Sequence, residues 1–228
     1  MEHGAALFYI AGFGVTSTMT TMVGVTVLLT LLSYLATRKL QEKPKGLQNI
    51  MEAALEALRN FLGGVLGSDA IARRYLPLLA TFFLFILFSN YSGLLPMAGH
   101  LPGLSPPTAT LSVTFGLAIV TFFSVQFYGF KSNKLGYFKH FSSPVWWLSW
   151  LFIPLFILEE FIHVLSLSLR LYGNIFGEET VSSALFGIVP LLVPLPMYIL
   201  GILFGAVQAL VFTLLTSIYI STAAGKGH

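Results

Sequence analysis

Five long apolar stretches set the limits on what this chain can fold into. They cover residues 5–36, 74–95, 109–130, 146–189 and 196–223. A helix of about 20 apolar residues crosses the hydrocarbon core of a bilayer. Charged residues make up only 9% of the chain, whereas a soluble domain carries about 25%. The sequence therefore predicts an all-α polytopic membrane protein, a single membrane domain over residues 1–228 with five membrane-crossing helices.

A sixth segment, residues 47–67, has the length of a span but carries Glu52, Glu56 and Arg59. Its apolar residues recur at helical spacing: Ile50, Ala54, Leu58, Leu62 and Val65. This pattern is typical of an amphipathic helix that lies in the membrane interface. The alternative is a helix in water that packs on the loops of the protein itself.

The basic residues follow a topological pattern. Eleven of the twelve Lys and Arg residues lie outside the five apolar stretches or, like Arg74, at the first residue of one. With five crossings they fall on one side, which the positive-inside rule makes cytoplasmic, so the N-terminus is expected outside and the C-terminus in the cytoplasm. A net charge of +3 arranged in this way indicates topology rather than a nucleic-acid partner. The chain has no cysteine, which excludes disulfides and thiolate chemistry.

The fourth apolar stretch, residues 146–189, is too long for an upright span. As one helix it would measure about 66 Å at 1.5 Å per residue, roughly twice the thickness of the hydrocarbon core. The sequence predicts either a steeply tilted helix or a break near Gly173 or Gly177.

Polar and small residues line up on one side of this stretch. At 100° per residue, a single stripe contains Glu159, His163, Ser166, Arg170, Gly173 and Gly177. Asn174 and Glu178 flank the stripe, and Gly201, Gly205 and Gln208 form a second stripe in the last apolar stretch. Both stripes contain a G-x-x-x-G pattern, which lets another helix approach closely.

Arg170 is the one Lys or Arg residue in the interior of an apolar stretch, and arginine keeps its proton. Intramembrane arginines usually face a protein interior or an aqueous path. Two interpretations remain open from the residues alone. Arg170 could pair with Glu178 or Glu179 to fix the position of the helix. It could instead be a permanent cation that attracts a moving carboxylate and favours its ionised form.

Titratable residues lie on both sides of Arg170. Glu159, Glu160 and His163 precede it, toward the predicted cytoplasmic end, and two carboxylates follow it toward the outside, Glu178 and Glu179. Such groups titrate near neutrality when they are desolvated or paired, so we expect them to exchange protons with water. The alternative for each group is simple pairing or exposure at the interface.

Asn174 and Gln208 are expected to contact water in a channel or to hydrogen-bond between helices. No nucleophile–base pair, nucleotide-binding pattern or metal-ligand spacing is present in the sequence. We therefore expect no catalytic site, no metal and no cofactor in this chain. Two other function classes stay open beside proton conduction: an ion-coupled secondary transporter that binds an anionic substrate at Arg170, and a passive membrane scaffold.

Several segments resemble subunit a of the rotary F-type ATP synthases. Residues 166–179, "SLSLRLYGNIFGEE", are similar to the family's signature around its essential arginine. Residues 206–221, "AVQALVFTLLTSIYIS", are similar to its last helix. "FSNYSGLLP" (88–96) followed by "PPTATLSVT" (106–114) resembles the region between its second and third spans. The resemblance covers most of the chain from about Arg74 onward.

The resemblance implies a stationary proton-conducting subunit in a bacterial plasma membrane. Its implied partners are the c-subunit ring, the b subunits of the peripheral stalk and the rest of the ATP synthase. In this family two offset half-channels lead to the ring carboxylates, and the last two helices form a long tilted hairpin against the ring. Matching the motifs makes Arg170 the essential coupling arginine and assigns Asn174, Glu179 and Gln208 to the channels. The residues expected to face the ring are Ser166, Gly173, Gly177, Gly201 and Gly205.

The sequence departs from some family members at Gly201, where those members have a histidine. Glu178 is an additional carboxylate beside Glu179. We expect Glu178, water or a group from another helix to take the place of that histidine on the outer side.

Overall fold

The computed structural model describes residues 6–10, 13–95, 105–140, 149–186 and 194–224. A two-stranded hairpin comes first, β1 (Ala6–Ile10) and β2 (Phe13–Thr16). Six helices follow: α1 (Ser17–Thr37), α2 (Leu47–Leu66), α3 (Asp69–Ser92), α4 (Leu111–His140), α5 (Ser149–Phe186) and α6 (Pro194–Ala223). A 3-10 turn, Pro107–Ala109, precedes α4. Apart from the hairpin, the described chain is helical, which confirms the predicted class.

The first helix is shorter than predicted. β1 and β2 pair antiparallel, and Gly14, which has low helix propensity, lies in the second strand. The Thr16 hydroxyl accepts a hydrogen bond from the backbone N–H of Met19 at 3.4 Å. Because this bond caps the helix, α1 begins at Ser17. The predicted span over residues 5–36 is therefore wrong in its first part.

The amphipathic helix α2 packs against the start of α3. Leu58 and Leu62 are buried in a cluster with Tyr75 and Leu79 of α3. Ile50, which the sequence placed on the same apolar face, is 64% exposed. The helix is thus docked through its second half, and its position in the membrane interface stays a prediction.

An ion-pair cluster joins α2 to α3 across a tight turn. The Arg59 guanidinium donates to Asp69 through Nε at 2.7 Å and Nη2 at 3.1 Å, and Arg73 Nε donates to the same carboxylate at 2.9 Å. Gly67 in the turn has φ +65°, the left-handed conformation that ends helices and favours glycine. α3 consequently starts at Asp69, before the predicted residue 74.

α4 is longer than predicted. The third predicted span ends at residue 130, but the helix continues through the basic segment 131–140 to His140. Lysine has good helix propensity, so a basic segment that leaves an apolar span can continue as helix.

α5 is continuous through Gly173 and Gly177, so the alternative of a break there is wrong. A glycine inside a helix costs about 1 kcal/mol relative to alanine, which is too little to break a long helix. The 38 residues of α5 measure about 57 Å at 1.5 Å per residue. This length exceeds the roughly 30 Å hydrocarbon core.

Within the described ranges, four helices are long and apolar enough to cross a membrane: Ser17–Thr37, Asp69–Ser92, Leu111–Ser132 and Tyr198–Ala223. α5 is not among them, and it carries five charged residues: Glu159, Glu160, Arg170, Glu178 and Glu179. The structure thus supports a multi-pass membrane protein, and a fifth crossing by α5 is taken up below as a proposal.

Candidate functional site

α5 and α6 run antiparallel, and two contacts give their register. The ring of His163 stacks on Tyr219, with centroids 4.5 Å apart and 20° between the planes. Asn174 Nδ2 donates a hydrogen bond to Gln208 Oε1 at 2.6 Å. Eleven residues separate the two contacts on each helix. Arg170 therefore lies between the two contacts, four residues before Asn174.

Arg170 is exposed on α5. Among the residues that the structure describes, no carboxylate forms an ion pair with it. Glu178 lies eight residues away on the same helix, about 12 Å along its axis. The interpretation of Arg170 as the ion-pair partner of Glu178 or Glu179 therefore has no support in the described part of the chain.

A cavity of about 430 Å³ lies between α4, α5 and α6, on the side of Arg170 toward the start of α5; we call it the inner cavity after the predicted topology. Its titratable lining consists of Glu159, Glu160, His163 and Tyr219, and much of the remaining lining is apolar. On α5 the lining ends at Leu167. The structure thus brings the three predicted inner residues into one cavity and adds Tyr219 to them.

A second cavity of about 380 Å³, called the outer cavity after the predicted topology, lies between α5 and α6 on the side of Arg170 toward the end of α5. Its polar lining consists of Asn174 and Glu178. Its first residue on α5 is Gly173. Leu167 and Gly173 are six residues apart, about 9 Å along the helix. Arg170 lies in this interval and lines neither of the two cavities.

Residues 18–221 match the family model of the ATP synthase A chain. The chain belongs to this family.

Its relatives are similar over nearly the whole chain. It is 44% identical to "ATP synthase subunit a 1" of Syntrophotalea carbinolica over 201 residues, 88% of this chain and 82% of the relative. It is 42% identical to "ATP synthase subunit a" of Moorella thermoacetica over 223 residues, 97% and 96% of the two chains. With that of Geobacter sulfurreducens the identity is 40% over 202 residues, 89% and 85%. These matches confirm the resemblance seen in the sequence and decide against the transporter and scaffold alternatives.

Two of the small residues expected to face a ring of the ATP synthase lie inside the chain instead. Gly201 and Gly205 are buried. A Cβ at Gly201 would overlap the Glu178 carboxylate, and one at Gly205 would lie 3.3 Å from Asn90 Cβ. This G-x-x-x-G pattern serves the packing of α6 against α3 and Glu178, so the expected ring-facing position of both glycines is corrected.

The other small residues fit the expectation of a ring-facing stripe. Ser166 and Gly173 are exposed. A Cβ built at Gly173 or at Gly177 would meet nothing within 4 Å. This side of α5 is therefore open within the chain, and a ring against it remains a prediction.

Sequence reasoning missed a polar contact between α3 and α6. Asn90 Nδ2 donates to the Gly205 carbonyl at 3.0 Å, and the Thr108 hydroxyl donates to Asn90 Oδ1 at 2.7 Å. Tyr91 Oη donates to the Ile202 carbonyl at 3.1 Å. An asparagine inside an apolar span signals such a contact, because buried amides almost always find partners. The amino-acid sequence does not show which helix supplies the partner of this asparagine.

Proposed function

We propose that the two cavities are half-channels of the membrane motor of an ATP synthase and that Arg170 separates them. As a member of the ATP synthase A chain family, the chain is a non-catalytic, proton-translocating membrane subunit. The observation that carries the finer proposal is the position of Arg170 in the interval of about 9 Å between the cavities. A group at this point lies next to both paths without lining either.

Arg170 acts on a carboxylate that another subunit brings to it. An arginine at membrane depth costs about 3 kcal/mol or more, and no described carboxylate of this chain is paired with it. A c-subunit ring that presents one carboxylate after another supplies the missing charge. Arg170 stabilises the ionised carboxylate and repels a proton that would otherwise cross between the paths.

The outer half-channel delivers protons past Glu178 and Glu179. The Glu178 side chain fills the space beside Gly201 where a larger residue would have to lie, so it can replace the histidine of other members. Asn174 and Gln208 lie between this carboxylate and Arg170. Gln208 Nε2 is buried with no acceptor among the described residues. Because such a donor is costly to leave unpaired, it supports a water or a ring carboxylate at this point.

The inner half-channel releases protons past Glu159, Glu160 and His163. All three residues line one cavity with Tyr219. Each proton that crosses 100 mV supplies about 2.3 kcal/mol, and rotation of the ring transmits this energy to the rest of the ATP synthase. Between its entrance and its release the proton is bound to a ring carboxylate and neutralises it, so the charge at Arg170 never has to move.

The membrane arrangement follows from the same interpretation. α5 makes a fifth crossing at a steep tilt, because it is far longer than the hydrocarbon core is thick. The ring lies against the open stripe of α5 that contains Ser166, Gly173 and Gly177. The b subunits of the peripheral stalk are the second set of partners. In a bacterial plasma membrane the N-terminus is outside and the C-terminus is cytoplasmic.

Substitution Arg170→Ala in the assembled complex tests the proposal. We expect ATP-driven acidification of sealed inverted vesicles to be lost while the complex still assembles. Arg73→Ala is the matched control, because Arg73 pairs with Asp69 at the start of α3 and lines neither cavity, so its loss should leave pumping intact. Normal pumping by Arg170→Ala would overturn the proposal.

A further inference from the structure

We infer that an apolar seal formed by Phe82, Leu171 and Phe212 separates the two cavities inside the chain. Arg170 then blocks proton leakage only on the exposed side of α5, and the seal blocks it on the buried side. This inference rests on the proposed half-channels, because a seal has a function only if both cavities carry protons.

The three seal residues are tightly packed. Leu171 and Phe212 are 0% exposed and Phe82 is 6% exposed. All three belong to one buried cluster contributed by α3, α5 and α6. The rings of Phe82 and Phe212 meet edge to face, with centroids 5.9 Å apart and 64° between the planes, a preferred arrangement of aromatic pairs.

The seal lies at the level of Arg170. Phe212 follows Gln208 by four residues on α6, and Arg170 precedes Asn174 by four residues on α5. Because the helices are antiparallel and Asn174 contacts Gln208, Phe212 and Arg170 lie at the same height. Leu171 is adjacent to Arg170 but buried, whereas Arg170 is exposed. The two residues thus face different sides of α5, about 100° apart around the helix axis.

Nearby hydroxyl groups are already occupied. Thr114 and Ser168, both 0% exposed, are hydrogen-bonded to each other at 3.1 Å. The Thr213 hydroxyl donates to the Ala209 carbonyl of its own helix at 2.8 Å. A buried water needs two to four polar partners, and these groups are engaged with one another. A chain of water through this level therefore lacks the polar groups that would hold it.

A serine in the seal should create such a path. We would measure passive proton flux into vesicles that hold the full complex, with ring subunits that carry an amide instead of the ion-carrying carboxylate. In this background the ring transports no protons, so any flux crosses the stationary subunit. Leu171→Ser should raise the flux several-fold above the parent complex.

Leu79→Ser is the matched control for this substitution. Leu79 is also 0% exposed and lies on a spanning helix, but it belongs to a different buried cluster. We expect no added flux from Leu79→Ser, and none from Phe212→Leu, which keeps the seal apolar. A flux from Leu171→Ser no greater than that of the parent complex or of Leu79→Ser would overturn the inference.

A second measurement covers the case in which the serine variant does not assemble. The natural chain has no cysteine, so a single introduced thiol reports water at its own position. A thiol reacts as the thiolate, which requires a polar surrounding. In the assembled complex Leu171→Cys should resist a small hydrophilic thiol reagent, whereas Thr222→Cys at the inner cavity should react. Equal reaction rates at both positions would contradict a dry seal.

These outcomes are independent of the Arg170 test. Loss of pumping in Arg170→Ala with no leak from Leu171→Ser would keep the half-channels and remove the seal. Normal pumping in Arg170→Ala would remove the half-channel proposal itself.

Discussion

Asn174 of α5 and Gln208 of α6 are joined by a side-chain hydrogen bond of 2.6 Å. The bond lies four residues from Arg170, on the outer-cavity side. It fixes the height at which α5 and α6 face each other, and it uses the Gln208 oxygen while the Gln208 Nε2 is left buried with no acceptor in the described chain. This amide pair therefore joins α5 to α6, and it leaves Gln208 Nε2 as a donor that can bind a further group.

Removal of either amide should slow ATP-driven pumping. A buried hydrogen bond contributes about 1 kcal/mol, and Asn174→Ala and Gln208→Ala each remove the same bond. The effects of two substitutions that remove the same bond are not additive. The double variant should therefore pump no more slowly than the slower of the two single variants. Thr180→Ala is the control, because this hydroxyl donates only to the Phe176 carbonyl of its own helix at 2.7 Å. Fully additive losses would contradict a shared role.

Gly201→Ala should be damaging because of Glu178. The new Cβ would overlap the Glu178 carboxylate and would also lie 2.7 Å from Leu94 Cδ2. Overpacking of this kind costs about 1–3 kcal/mol, and we expect lower thermal stability of the complex and reduced pumping. Adding Glu178→Gly should recover stability by clearing the space.

Gly116→Ala is the control for this substitution. A Cβ at Gly116 meets nothing within 4 Å, and alanine favours helix over glycine by about 1 kcal/mol. Its stability should be unchanged or higher. If Gly201→Ala behaved in the same way, the Glu178 side chain would not occupy the space beside Gly201.

Gly173→Leu tests for a partner on the open stripe of α5. Inside the chain a Cβ at Gly173 meets nothing within 4 Å, so a larger side chain should leave the subunit itself folded. If the ring packs there, the leucine should reduce the amount of ring that copurifies with this subunit. Gly116→Leu has the same freedom within the chain and should not. Equal recovery of the ring in both variants would exclude close packing at Gly173.

Two substitutions in the stacked pair of His163 and Tyr219 distinguish a role in proton exchange from a role in packing. Tyr219→Phe keeps an aromatic ring against His163 and removes only the hydroxyl, so pumping should stay near normal. His163→Phe also keeps a stacked pair but removes the titratable nitrogen atoms, so pumping should fall severalfold. Vesicle acidification rates measure both. Equal rates in the two variants would assign His163 to packing alone.

The polar positions of single helices could be predicted from the sequence. Arg170 was recognisable because charge in an apolar stretch is costly, and Asn174 and Gln208 because their spacing places them on small-residue stripes. The structure brings both amides together and gathers Glu159, Glu160 and His163 in one cavity. Helical spacing predicts which residues of one helix share a side, such as Glu159 and His163 on α5.

The neighbours of each stripe could not be predicted in this way. Gly201 and Gly205 have the spacing of a packing surface, but spacing does not say that α3 and Glu178 cover them. Tyr219 gives no signal on its own helix, since aromatic residues are common near the ends of spans. The hairpin before α1 was missed because its residues are as apolar as a span, and only strand pairing and the Thr16 cap distinguish it.

Side-specific labelling tests whether the two cavities open to opposite sides of the membrane. In the assembled complex Thr222→Cys would report on the inner cavity and Val181→Cys on the outer one, in a chain that has no other cysteine. A membrane-impermeant thiol reagent would be added to inverted vesicles or to right-side-out vesicles. We expect Thr222→Cys to react only from the cytoplasmic side and Val181→Cys only from the opposite side. Reaction of both thiols from the same side would contradict two half-channels that meet at Arg170.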